Sequence, residues 1–79
     1  MDDSVSLASL SPGQKGKITA LDLPGAQKGR VMEMGLTAGT TIEVIKVAPM
    51  GDPVQYKVRG GHISLRKAEA ALIQVQLLT

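Results

Sequence analysis

Catalysis in this sequence would have to start from His62, the only histidine in 79 residues that include no cysteine. Nucleophilic catalysis joins a nucleophile, a base and a group that orients the base. Ser64 stands two residues on and shares a strand face with His62, but no catalytic signature surrounds the pair. His62 reads as an outward strand residue beside the Gly60-Gly61 corner, so no enzymatic activity is expected. Asp22, Glu33, Asp52 and Glu69 complete the possible metal ligands. None stands at a ligand spacing, and one histidine without cysteine does not make a transition-metal site. Neither an internal metal nor a cofactor is expected. The stretch Gly25-Ala26-Gln27-Lys28-Gly29 lacks the spacing and the Lys-Ser/Thr pair of a phosphate-binding loop.

The remaining candidates are groups for contact. Met32 and Met34 lie two apart on a predicted helix and point to different sides. Met34 is expected in the core and Met32 partly exposed, as an adaptable contact residue. Met50 stands at a loop tip, between Pro49 and Gly51-Asp52-Pro53. A stiff loop with an apolar tip lowers the ordering cost of binding. Leu23, Arg30, Met32, Met50, Asp52 and Pro53 are therefore the expected partner-binding residues: exposed apolar or directional groups on rigid elements.

The elements that carry them follow from turn chemistry and periodicity. Residues 1–5 are polar, without a period, and are expected to fray. Ser11-Pro12-Gly13-Gln14 predicts a type II turn, with proline pre-setting the first central position and glycine supplying positive φ at the second. Gly16 to Leu21 reads as a strand. Pro24 opens a helix from Ala26 to Met34, and Gly35 fits the left-handed position past its end, with Leu36 packing back on Val31. Gly29 inside that helix costs about 1 kcal/mol relative to alanine. Thr37-Ala38-Gly39-Thr40 repeats the glycine turn. From Thr40 to Ala48 the apolar pattern changes phase: Ile42 and Val44 on one face, Ile45 and Val47 on the other. Only a bend or bulge keeps all four inside. Val54, Tyr56 and Val58 alternate with polar residues, as do Ile63 with Leu65, and Ile73 with Val75 and Leu77. A single helical turn spans Arg66 to Ala71.

These elements predict one mainly β domain over 1–79: a small closed barrel of about five strands, with one short helix and a further helical turn. Composition narrows the function classes. Net charge is +2 with no concentrated basic stripe, and Tyr56 is the only aromatic residue. Nucleic-acid binding is not expected, because it relies on a basic stripe and on stacking platforms. No apolar run approaches the ~20 residues of a membrane span, and the acidic opening Met1-Asp2-Asp3-Ser4 is unlike a secretory signal. A cytoplasmic protein, monomeric or weakly self-associating, is expected.

Four blocks, in order, carry a family resemblance. They are Leu10-Ser11-Pro12-Gly13 with Gly16-Lys17-Ile18; Arg30 through Gly39; Ala48 through Val54; and Ile63 through Ala70 with Ile73-Gln74-Val75. Together they resemble the ferrous iron transport protein A family, over about Leu7 to Val75. Ala38 stands where that family often has proline, and Val31 where leucine is common. The resemblance implies an SH3-like β-barrel without enzymatic activity. It also implies an accessory role beside the large membrane ferrous iron transporter, whose cytoplasmic part is a GTPase domain. The same barrel type resembles the C-terminal domain of metal-dependent transcriptional repressors. A regulatory module of such a system is the alternative, with its DNA-binding helices supplied by another chain.

Overall fold

The structure is a computed structural model in which residues 4–78 are described. The chain runs β1 (Ser4–Ser6), a 3₁₀ turn (Leu7–Ser9), β2 (Lys15–Leu21), α1 (Gly25–Glu33), β3 (Thr41–Val47), β4 (Val54–Val58), β5 (Gly61–Leu65), α2 (Lys67–Ala70) and β6 (Ile73–Leu77). Ser4 and Val5 do not fray as expected, because they pair antiparallel with Gln76 and Val75 of β6. Residues 1–3 lie outside the described residues.

Turn chemistry sets the corners as the sequence predicts. Gly13 has φ +92°, and the Gln14 N–H donates to the Ser11 carbonyl at 3.0 Å. After α1, Gly35 has φ +100°. The Gly35 N–H then donates to Met32 O at 3.0 Å, and the Leu36 N–H to Val31 O at 3.0 Å. This pair of bonds is the Schellman closure, and it buries Leu36 beside Val31. Leu36 takes the place expected for Met34, which is the C-cap residue and 39% exposed. The helix therefore ends one residue earlier than predicted and holds the core through Val31 alone.

The predicted bulge in the long third strand is present. The β3–β4 register slips between Val44 and Lys46, so Ile45 is the extra residue. Ile42 and Val44 are buried, Ile45 is half-buried and Val47 faces outward. The bulge thus turns the strand without bringing all four side chains inside. A second slip lies between Ile18 and Ala20 in the β2–β6 pairing. Beside it the two strands approach closely at Gly16, where a Cβ would stand 2.9 Å from the Val75 side chain.

Among the described residues the strands form one antiparallel sheet of six, ordered β1-β6-β2-β3-β4-β5. The expected closed barrel of about five strands is corrected on two counts. A short strand, β1, is added at one edge, and the sheet does not close. Closure would pair β1 with β5, but β1 pairs with β6 and β5 with β4. The curled sheet wraps a core centred on Tyr56, Leu65, Ile42, Ile73 and Val75.

Candidate functional site

Two surface clefts large enough to receive another molecule border α1. A helix advances about 100° per residue. With Val31 turned to the core, Gln27, Arg30 and Met34 fall along one flank, and Met32 falls on the other. The first three residues wall two clefts at opposite ends of β5. A cleft of ≈ 660 Å³ is lined by Gln27, Arg30, Pro53, Ser64, Arg66 and Glu69, together with Ala68 and Leu72. A second, of ≈ 770 Å³, is lined by Glu33, Met34, Gly39, Thr41, Arg59 and Gly60 among others.

The first cleft is fixed by polar contacts between elements. Arg30 of α1 makes an ion pair with Glu69 of α2. The other oxygen of Glu69, Oε1, accepts from the Arg66 N–H at 3.1 Å. Asp52 Oδ1 accepts from the Lys67 N–H at 2.9 Å, so the loop before β4 caps the start of α2. That loop is closed at its base, where the Ala48 N–H donates to Pro53 O at 3.0 Å. Across its tip the Gly51 N–H donates to Ala48 O at 2.7 Å. Met50, between these bonds, is 92% exposed. Arg66 and Arg59 form no ion pair among the described residues.

The sequence-predicted contact residues divide accordingly. Arg30 and Pro53 line the same cleft. Met50 projects from the loop that ends at Pro53, while Asp52 spends its carboxylate on α2. Met32, 42% exposed, lies on the far flank of α1. Leu23 is corrected: it is 6% exposed and belongs to the core. Its neighbour Asp22 donates its N–H to Leu72 O at 2.7 Å, anchoring the chain at the turn where Leu23 is buried. Sequence reasoning missed Gln27, Ser64, Arg66 and Glu69 as lining residues. The spacing of Gln27, Arg30 and Met34 along one helix flank was the available signal.

His62 is exposed on β5, as is Ser64. Among the described residues, no three His, Cys, Asp or Glu side chains are grouped to hold a metal ion. No helix among them is long and apolar enough to cross a membrane.

Comparisons with known proteins agree with this architecture. The sequence model of the FeoA domain matches residues 5–77. A curated relative is the Fe(2+) transport protein A/Fe(2+) transporter FeoB fusion protein of Porphyromonas gingivalis (strain ATCC BAA-308 / W83). It is 37% identical over 73 residues, 92% of this chain and 9% of that protein. The chain thus spans less than a tenth of that relative's length. The solution structure of FeoA from Chlorobium tepidum superposes with a TM-score of 0.91 at 31% identity, over 95% of this chain and 71% of that one. FeoA of Stenotrophomonas maltophilia, solved with zinc, is described as a prokaryotic SH3 domain protein and a candidate ferrous iron transport activating factor. It has a TM-score of 0.75 and 25% identity, over 87% of this chain and 86% of that one. T. acidophilum IdeR matches with a TM-score of 0.85 at 23% identity, over 99% of this chain and 36% of that one. That likeness is one of fold alone.

Proposed function

The chain belongs to the FeoA domain family, and from that premise we propose that it is a non-catalytic accessory of ferrous iron uptake that binds the cytoplasmic, GTPase-bearing part of the membrane Fe(II) transporter. The observation that carries the reading is the Porphyromonas gingivalis relative, in which a homologous segment and the transporter share one polypeptide. Fusion raises the effective concentration of one module at the other, which is useful only where the two act together. The fold supports a contact role, since its interior is filled by side chains and its usable chemistry lies on the surface.

In this reading the contact surface comprises Met50 at the loop tip with Arg30 and Pro53 in the adjoining cleft. Met32 offers a second point on the other flank of α1, and Asp52 holds the loop in position. An exposed apolar anchor replaced by a charge typically weakens an interface by about tenfold or more. Met50→Glu is expected to do so when the full chain is titrated with the transporter's isolated cytoplasmic region, and Met32→Glu is read alongside it. Unchanged affinity in both folded variants removes both methionines from the surface. An absence of binding by the unaltered chain, with iron uptake indifferent to its deletion, ends the proposal itself.

A further inference from the structure

The free edge of β5 is not used by the fold. Gly61–Leu65 pair with Val54–Val58 of β4 and, among the described residues, with no strand on the other side. Among the described residues, none of the five makes a backbone hydrogen bond outside that pairing. In an antiparallel edge strand, every second residue directs its N–H and C=O away from the sheet. Natural edges are blunted by lysine, proline, a bulge or a covering element. β5 contains neither lysine nor proline, and its register with β4 runs without a slip. Gln27 and Arg30 of α1 share an open cleft with Ser64, so the helix does not seal that part of the strand; Met34, just past α1, lines a second cleft with Arg59 and Gly60, the two residues before β5.

From these placements we infer that the open edge of β5 receives an extended segment of the transporter, which adds to the sheet as a strand along β5 and sets an acidic side chain against Arg66. This rests on the transporter reading above and specifies its geometry. The charge requirement comes from the first cleft. It holds two arginines and one glutamate; Glu69 is engaged by Arg30, so Arg66 remains as the uncompensated cation. Ser64 and Gln27 beside it offer polar groups to a carboxylate. At the other end of β5, Glu33 and Arg59 balance in charge and Met34 supplies apolar surface. The incoming strand is therefore acidic where it passes Arg66 and apolar where it passes Met34. Strand addition draws affinity from main-chain bonds and specificity from such alternate side-chain pockets.

The test is amide hydrogen exchange on the full chain with and without the detergent-solubilised FeoB-type transporter of the same organism. In the unaltered chain, the β5 amides directed away from β4 are expected to slow by about tenfold or more when the transporter is bound, as new main-chain hydrogen bonds protect them. Arg66→Glu is expected to weaken binding by about tenfold, Arg66→Lys by much less, and Lys28→Glu by about twofold or less. Lys28→Glu makes the same change in net charge outside both clefts. Binding with β5 exchange unchanged, or with Arg66→Glu no worse than Lys28→Glu, overturns the strand-addition geometry and leaves the accessory role standing. Failure of the unaltered chain to bind overturns both. The exchange measurement needs no substitution, so a variant that fails to fold does not blunt it.

Discussion

Tyr56 is the only aromatic side chain, is 1% exposed, and burial pushes its phenol up from 10 to about 12. The folded state therefore holds the phenol proton more tightly than the unfolded chain does. That contribution is fully present below pH 10 and is lost as pH rises through about 12. Over this window the fold is expected to lose on the order of 2–3 kcal/mol. Phenolate absorbance should titrate together with unfolding, and Tyr56→Phe should flatten the alkaline arm of a denaturation series. Asp52 makes a second residue-scale case. It was expected in the sequence as a contact group, but its carboxylate caps α2 through the Lys67 N–H. Asp52→Ala should cost about 0.5–2 kcal/mol by urea denaturation, the usual range for a lost N-terminal cap. Leu23 and Met34 were misplaced at this scale for a shared reason. Each sits just beyond a regular element, where neither the strand period nor the helix period reaches, and the path of the turn decides which way the side chain faces.

At the scale of elements, α1 is the weak member. Its N-cap is Pro24, with no side-chain capping bond, and Val31 is its only buried residue. Its position depends on the Gly35 closure and on the Arg30–Glu69 pair, and an exposed ion pair contributes only about 0–1 kcal/mol. Gly29 adds a further cost, and a Cβ there would meet nothing within 4 Å. Gly29→Ala should stabilise the protein by about 0.5–1 kcal/mol in chemical denaturation, with no shift in the core. The existence of the helix, its glycine stop and the bulge in β3 were all legible, because each is written in local chemistry. The phase change between Val44 and Ile45 announced the bulge directly. β1 was not legible: three residues, Ser4–Ser6, carry no period, and their strand character comes from pairing with residues some seventy positions away.

For the whole molecule, the difference between a closed barrel and an open sheet lies in a contact that no local pattern encodes. Alternation along β4 and β5 says which side faces the core. It does not say whether the last edge finds a partner. The candidate site inherits the same limit: Arg30 and Pro53 were legible as surface groups, whereas the cleft they share depends on α1 lying beside α2, far along the chain. The pairing at the other margin has a practical consequence. Ser4 stands opposite Gln76, so the polypeptide enters and leaves through adjacent rungs of the ladder. A short glycine-serine bridge can join those rungs, and new ends can be cut between Met50 and Gly51. Such a circular permutant is expected to keep the native spectrum and a cooperative melt. By the same token, a host polypeptide can carry this unit as an insert, much as a ring hangs from a single point of its chain.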